Sequence, residues 1–93
     1  MPTIRQEIID LLSEEELNAR ELSQLLGIPE KEVFEHLEHV ARTAKVHGRK
    51  LIVRPFLCLK CGFLFKDRDR LSRPGRCPRC RESHIRMASY RIQ

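Results

Sequence analysis

The stretch Asn18–Pro29, with the sequence NARELSQLLGIP, decides the fold of the first half of the chain. Asn18 followed by Glu21 three positions later forms a capping-box pattern, which starts a helix. Leucines then recur at helical spacing, at Leu22, Leu25 and Leu26. Gly27 is the residue type that ends a helix in the left-handed conformation, and Pro29 suits the first position of a following helix. The stretch therefore predicts a short helix, a tight turn and the start of another helix.

Helical patterns flank this stretch on both sides. Thr3 with Gln6 predicts a capping box for a first helix over about residues 4–12, and residues 13–17 are polar and acidic enough to form a connection. A third helix is expected over about residues 30–44, because apolar side chains share one face there: Val33, Leu37, Val40, Ala41 and Ala44. Three helices with a glycine turn before the third are typical of a helix-turn-helix.

Two apolar runs in the second half predict a pair of strands. The first is Leu51–Leu57, which Pro55 should place at a sheet edge or bend, and the second is Ile85–Ile92. We expect the runs to pair antiparallel, because a lone strand leaves its backbone groups unpaired. The 27 residues between them are far more than a hairpin needs.

Four cysteines, the strongest chemical signal in the chain, lie between these strands. They form two Cys-x-x-Cys pairs, Cys58 with Cys61 and Cys77 with Cys80, and fifteen residues separate the pairs. Two such turns can direct four sulfurs at one tetrahedral metal, and the spacing falls within the zinc-ribbon pattern. Within the ribbon we expect a strand at residues 63–65 and a returning turn at residues 73–75. Four thiolates would leave no coordination position for a substrate, so the site is expected to be structural.

Other interpretations of the cysteines stay open. Iron in a rubredoxin-like site uses the same four sulfurs, and the first pair, Cys-Leu-Lys-Cys-Gly, resembles that of rubredoxins. The second pair lacks the glycine found in rubredoxins, and the chain has no Trp and one Tyr where rubredoxins carry an aromatic core. These differences weaken the interpretation as an electron carrier. Two disulfides are disfavoured in a reducing compartment, and a redox dithiol would need only one of the two cysteine pairs. The histidines are expected to be solvated or capping residues and not ligands: His36, His39, His47 and His84.

The helical stretch also carries a family resemblance. With Ser23 on the second helix and the pair His36-Leu37 late in the third, it resembles the helix-turn-helix of arsenic-repressor-type winged-helix regulators. Nearly the whole chain resembles small archaeal proteins described as transcriptional regulators, in which a rubredoxin-like zinc ribbon is inserted in the wing. This resemblance implies DNA binding in transcriptional control.

The predicted fold class is α+β. It is a winged helix-turn-helix, with three helices and a two-stranded wing, and a small four-cysteine zinc ribbon is inserted between the wing strands. The expected boundaries are 1–57 for the helices and first wing strand, 58–84 for the ribbon, and 85–93 for the returning wing strand.

Charge is divided unevenly along the chain. Residues 1–53 carry seven basic and ten acidic side chains, whereas residues 54–93 carry eleven basic and three acidic ones. A basic segment of this kind favours a polyanionic partner, although a solvated face is the commoner explanation. The candidate nucleic-acid contacts are basic residues of the ribbon and of the third helix: Lys66, Arg68, Arg70, Arg73, Arg76, Arg79, Arg81, Lys31 and Arg42.

Two functions follow from these features. The first is a transcriptional regulator that binds double-stranded DNA, mainly through its ribbon. The second is a protein-interaction module of the transcription or RNA machinery, which is favoured by three glutamates at outward positions of the third helix: Glu32, Glu35 and Glu38. Such carboxylates would be repelled by phosphates. A rubredoxin-like iron electron carrier is a third, weaker possibility.

Length and composition exclude several other classes. Ninety-three residues allow one domain or two very small units. No apolar run approaches the roughly 18 residues of a membrane span, and no export signal is visible, so a cytoplasmic protein is expected. No nucleophile–base pair or phosphate-binding glycine loop is present, so no enzymatic activity is expected. Since no helix is predicted after residue 45, the chain is expected to be a monomer or a weak homodimer.

Overall fold

A computed structural model of the chain describes residues 3–66 and 71–93 and has a mixed α+β architecture. The three helices are α1 (Ile4–Glu14), α2 (Ala19–Leu26) and α3 (Glu30–Val46). The five short strands are β1 (Leu17–Asn18), β2 (Leu51–Arg54), β3 (Leu57–Cys58), β4 (Ile85–Arg86) and β5 (Ser89–Ile92). The strands form two antiparallel sheets, one with the order β1-β5-β2 and one made of β3 and β4.

The predicted helix starts are confirmed in most details. Asn18 accepts a hydrogen bond from the Glu21 amide at 2.8 Å, and the Glu21 carboxylate accepts one from the Asn18 amide at 2.9 Å, which completes a capping box. At α1, Thr3 accepts from the Gln6 amide at 3.1 Å. The reciprocal bond predicted there is wrong, because the Gln6 side chain donates to Asp10 at 3.0 Å instead. Helix α1 also continues two residues beyond its predicted end.

The turn between α2 and α3 differs from the prediction at one position. Gly27 adopts the left-handed conformation, with φ of +67°, as expected. Pro29 is the N-cap of α3 and not its first helical residue; its fixed φ of −63° suits both positions, so the sequence could not separate them. Leu25 belongs to the leucines that recur at helical spacing in α2, but its side chain is 58% exposed. Leu22 and Leu26 form the inward face of this short helix.

The expected antiparallel pairing of the two apolar runs is confirmed. In the register of β2 with β5, Leu51 lies opposite Ile92 and Val53 lies opposite Tyr90. The connection predicted at residues 13–17 is wrong at its end, because Leu17 is buried and begins β1, which pairs with Tyr90 and Ser89. A two-residue strand is too short to show an alternating pattern in sequence.

Each predicted strand is divided into two pieces. The chain leaves the main sheet at Pro55–Phe56 and at Met87–Ala88, and then β3 and β4 pair with each other. Pro55 has no backbone N–H to donate, which accounts for the interruption on the first side. Phe56 and Ala88 are 4% and 2% exposed. The bend therefore buries apolar side chains where the ribbon joins the sheet.

One continuous hydrophobic core joins the helices, the sheet and the base of the ribbon. It includes helical side chains such as Ile8 and Leu37, and it extends to Phe65 in the ribbon. Tyr90 on the central strand is fully buried, and its hydroxyl donates to the Leu71 carbonyl at 3.3 Å. Among residues 3–66 and 71–93, no helix is long and apolar enough to cross a membrane.

Tyr90 provides a test of this packing. Burial raises the pKa of the Tyr90 phenol above its ordinary value of 10.0, so the folded protein keeps the proton at pH values where the unfolded chain has lost it. The free energy of unfolding should therefore be unaffected by this group below pH 10. It should fall by about 1.4 kcal/mol per pH unit as the pH rises above 10.

Denaturant titrations of the wild type and of Tyr90→Phe between pH 9 and 11 measure this contribution. The variant should be destabilised by about 1 kcal/mol at neutral pH, because it lacks the hydrogen bond to Leu71. Its stability should then decline less steeply at alkaline pH. Parallel curves for the two proteins would show that Tyr90 ionises as readily in the folded state as in the unfolded chain.

Candidate metal centre

The four cysteine sulfurs meet at one point beside the β3–β4 sheet. All four Sγ atoms lie within 4.8 Å of one another. The Sγ atoms of Cys58 and Cys80 are 3.5 Å apart, and those of Cys61 and Cys77 are 3.6 Å apart. A tetrahedral S₄ site with metal–sulfur distances of about 2.3 Å has sulfur–sulfur separations of about 3.8 Å. The group can therefore hold one metal ion.

The two Cys-x-x-Cys turns have matching backbone hydrogen bonds. In the first turn, the Cys58 amide donates to the Phe63 carbonyl and the Gly62 amide donates to the Cys58 carbonyl, both at 2.9 Å. In the second turn, the Cys77 amide donates to the Glu82 carbonyl at 2.9 Å, and the Arg81 amide donates to the Cys77 carbonyl at 2.8 Å. The same local fold thus presents two sulfurs from each side of the site.

This turn requires a left-handed residue directly after its second cysteine. Gly62 fills that position in the first turn with φ of +80°. Arg81 fills it in the second turn with φ of +63°, and it is the one described non-glycine residue with positive φ. A side chain in this conformation costs roughly 1–2 kcal/mol relative to glycine. In the sequence, Arg81 occupies the position that Gly62 has in the first turn. No sequence feature indicated that Arg81 would also adopt the left-handed conformation.

Backbone amides also direct hydrogen bonds at the sulfurs. The Arg79 amide donates to Cys77 Sγ at 3.4 Å. At Cys58, hydrogen bonds from the backbone of Cys61 and then of Lys60 outweigh the effect of burial and lower the pKa of the thiol to about 6. Amides that favour a thiolate at this position also favour a bound cation, because metal ligation requires the deprotonated sulfur.

At Cys61 and Cys80, the close approach of four sulfurs in a buried place disfavours the thiolate. Burial raises the pKa of Cys61. At Cys80, the largest single influence is a backbone hydrogen bond from Glu82, which favours the thiolate, but burial and the neighbouring thiols together raise the pKa to about 12. Four adjacent thiolates repel one another, and a central divalent cation is the simplest way to hold them all deprotonated.

In each Cys-x-x-Cys pair, the first cysteine is buried more deeply than the second. Cys58 and Cys77 are 0% and 1% exposed, whereas Cys61 and Cys80 are half-buried. Three aromatic rings support the first turn through edge-to-face contacts, Phe63 with Phe65 at 5.0 Å and Phe65 with Phe56 at 6.4 Å between ring centroids. The sulfurs are free thiols at distances well above the roughly 2.05 Å of a disulfide.

The ribbon backbone is less regular than the sequence suggests. The strand predicted at residues 63–65 is reduced to a single bridge between Leu64 and Leu57. Its flanking hydrogen bonds run from the Cys58 amide to Phe63 and from the Phe65 amide to Phe56. The predicted turn at residues 73–75 corresponds to bends at residue 72 and at residues 75–76. In this segment the hydrogen bonds of the two cysteine turns determine the path of the backbone, and strand pairing contributes only the bridge between Leu64 and Leu57.

Most of the predicted nucleic-acid contacts lie on the surface. The exposed members are Lys31, Arg42, Lys66, Arg73, Arg76, Arg79 and Arg81. Arg68 and Arg70 lie outside the described residues. Of the histidines, His47 caps the end of α3 and His36 accepts a hydrogen bond from Arg5 at 3.4 Å. The potential metal-binding group found in the described parts of the chain contains the four cysteines and no histidine.

Fold and site together define a small mixed α+β protein built around a four-cysteine site that can hold a metal ion. A family model described as PF0610-like, N-terminal, matches residues 3–52, which is more than half of the chain. The chain therefore belongs to the PF0610-like family.

A solved structure extends this similarity over nearly the whole chain. The chain is similar to protein PF0610 from Pyrococcus furiosus, an archaeal protein whose structure was determined by solution NMR. The identity is 32% and the TM-score is 0.82, and the match covers 97% of this chain and 88% of the other. No curated protein matches the sequence.

The left-handed conformation of Arg81 predicts that a glycine there is stabilising. Arg81→Gly should raise the free energy of unfolding of the metal-loaded protein by about 1 kcal/mol, because glycine adopts this φ without a Cβ penalty. The matched control is Gly62→Ala, which should lower it by a similar amount. A Cβ at Gly62 would meet no atom within 4 Å, so its effect is conformational and not steric. A loss of stability in Arg81→Gly, measured by denaturant titration, would contradict this account.

Metal removal should affect the ribbon more than the helices. In the described part of residues 58–84, two of the four buried side chains are metal-ligand candidates, Cys58 and Cys77, and the others are Phe65 and Pro74. Chelation under reducing conditions at neutral pH should therefore broaden or displace the amide signals of residues 58–66 and 71–84. Signals from α1, α2 and α3 should persist. Native ribbon signals in fully demetallated protein would show that the metal is dispensable for this segment.

Proposed function

We propose that this protein is a DNA-binding transcriptional regulator with a winged helix-turn-helix fold and a structural zinc ribbon in its wing. The observation that carries the proposal is the combination of α2, a glycine turn and α3 with a strongly basic insertion between two paired strands, in which four cysteines can hold a metal ion. The similarity to protein PF0610 supports the fold and does not itself indicate a function.

The topology supports the winged-helix assignment. Strand β1 follows α1, the α2–α3 pair comes next, and β2 and β5 then form an antiparallel ladder on the same sheet. In this proposal β2 and β5 are the wing strands. The ribbon at residues 58–84 replaces the tip of the wing, and residues 85–93 return to the unit formed by residues 1–57.

Zinc is the metal that we propose for the site. A closed set of four sulfurs suits zinc in a structural role, and roughly 10–16 kcal/mol of binding free energy becomes available to the ribbon. Because all four ligands come from the protein, no position is left for a substrate or water, and we propose no enzymatic activity. Iron fits the same four sulfurs. The visible absorbance of the purified protein distinguishes the two metals, since a ferric S₄ site is red and a zinc site is colourless.

Charge supports contact with a polyanion. Residues 54–93 have a formal charge of +8 with the thiols neutral, and four thiolates with one Zn²⁺ reduce it to about +6. Exposed arginines at Arg73, Arg76 and Arg79 are available for phosphate contacts, and no described ion pair occupies them. Basic side chains that neutralise phosphates provide most of the sequence-independent affinity for DNA.

Helix α3 favours a second candidate function. Glu32, Glu35 and Glu38 are all exposed, whereas recognition helices usually contact bases through Arg, Asn or Gln. A protein-interaction module of the transcription or RNA machinery would accommodate this acidic helix, with the ribbon arginines facing an acidic partner. In both cases we propose a cytoplasmic monomer or weak homodimer.

The salt dependence of DNA binding tests the main proposal. Each lost phosphate contact should reduce the slope of log K against log salt concentration by about 0.9. Arg73, Arg76 and Arg79 changed together to Ala should therefore flatten the slope by up to about three units on a random duplex. The matched control changes Arg20, Lys45 and Lys50 to Ala, which removes the same charge from exposed positions outside the ribbon.

Two outcomes would favour the second function. One is an arginine variant with the affinity and slope of the wild type. The other is a control variant that loses as much DNA affinity as the ribbon variant, which would indicate attraction by net charge alone.

Changing Glu35 and Glu38 to Gln should strengthen non-specific binding if α3 lies near the phosphates.

A further inference from the structure

We propose that the groove between α1 and α2 is a docking site for a basic amphipathic helix of another protein. This site is separate from the metal centre and from the basic ribbon, and the inference does not depend on DNA binding. It rests on an apolar surface that the fold leaves uncovered and on the charge that surrounds it.

Leu25 is the centre of the groove. It projects from α2 with 58% of its surface exposed, although Leu22, one turn earlier, is fully buried. Two shallow hollows of ≈ 350 and ≈ 330 Å³ share Leu25 as a wall. Their other apolar walls are Leu17 in the first hollow, and Leu11 and Leu26 in the second. Leu25 and the leucines in the walls of the two hollows together present an apolar surface inside a polar rim, which is the usual arrangement of a protein-binding site.

The rim of the groove is acidic. Each hollow is lined by two carboxylates, Glu15 and Glu21 in the first, and Glu7 and Asp10 in the second. The lining of both hollows contains no Lys or Arg. A helix that places apolar side chains in successive hollows and basic side chains on either side would match both the shape and the charge of the groove.

The same features argue against other occupants. Four carboxylates repel nucleic acid, so phosphates are poor ligands for this face. The leucine walls of the hollows distinguish this face from a uniformly charged surface, to which any basic chain would bind without preference for sequence order. A basic amphipathic helix is therefore the occupant that the groove selects.

Peptide binding to the 93-residue chain loaded with zinc tests the proposal. The probe is a helix-forming peptide of about 18 residues made of leucine and lysine, with the leucines on one face. Titration into ¹⁵N-labelled protein should shift mainly the amide signals of residues 7–11 and 21–26. A peptide of the same composition in scrambled order should bind at least about tenfold more weakly, because it cannot place leucines in both hollows.

Leu25→Ser should weaken binding of the amphipathic peptide by at least about tenfold, the effect expected for a central apolar anchor. The matched control is Leu59→Ser, which changes a leucine of similar exposure, 55%, on the ribbon and should leave the affinity unchanged. Both positions are exposed, and unchanged amide signals elsewhere confirm that each variant is folded. Changing Glu7 and Glu15 to Gln should weaken binding severalfold and reduce its salt dependence, while leaving the Asn18–Glu21 capping box intact.

Three results would overturn the proposal. Equal affinity for the scrambled peptide would show that charge alone attracts the probe. Shifts centred on the glutamates of α3 would place the probe on a different surface. Concentration-dependent self-association that Leu25→Ser abolishes would show that a second copy of the chain, with its own basic ribbon, occupies the groove.

Discussion

The antiparallel pairing of β5 with β2 is the constraint on which the rest of the structure depends. Strand β5 lies between β1 and β2, so the last strand of the chain joins segments that follow α1 and α3. Its Tyr90 is fully buried and lies opposite both Leu17 and Val53. The same ladder brings the two ends of the ribbon together, which lets β3 pair with β4 and aligns the two cysteine turns. Consequently the helical core and the metal site are coupled through backbone hydrogen bonds between residues that are distant in sequence.

The metal site is built by using one local fold twice. Both cysteine turns close with the same pair of backbone hydrogen bonds, and both need a left-handed residue after the second cysteine. Gly62 meets that need without strain, whereas Arg81 meets it at a cost. That an arginine stays in this conformation indicates that the surrounding turn determines the backbone more strongly than the residue's own preference does. An arginine here also keeps a positive charge near a site whose four sulfurs carry negative charge when a metal is bound.

Much of the fold could be predicted from local patterns, because caps and apolar periodicity act over a few residues. Asn18, Glu21 and Gly27 fixed the limits of α2, and the cysteine spacing indicated the four ligands. Features set by tertiary contacts were missed: β1 is too short to show a pattern, and Leu25 fits the helical stripe but lies outside the core. The break at Pro55–Phe56 agrees with the bend that Pro55 predicts, whereas the break at Met87–Ala88 follows from the packing of the ribbon against the sheet. No local signal in residues 85–92 indicated that second break.

The opposite charges of the two halves bear on how many partners the chain can hold. The helical half is acidic and the ribbon half is basic, and the longest dimension of the molecule is 45 Å. Exposed charges are largely screened beyond about 8 Å at physiological ionic strength. A polyanion on the ribbon and a basic helix on the α1–α2 groove would therefore interact little across the molecule at that salt concentration. At low salt the screening length increases, and a basic partner on the groove would offset carboxylates that repel a polyanion. Binding at one surface would then favour binding at the other, and linkage requires this coupling to be equal in both directions.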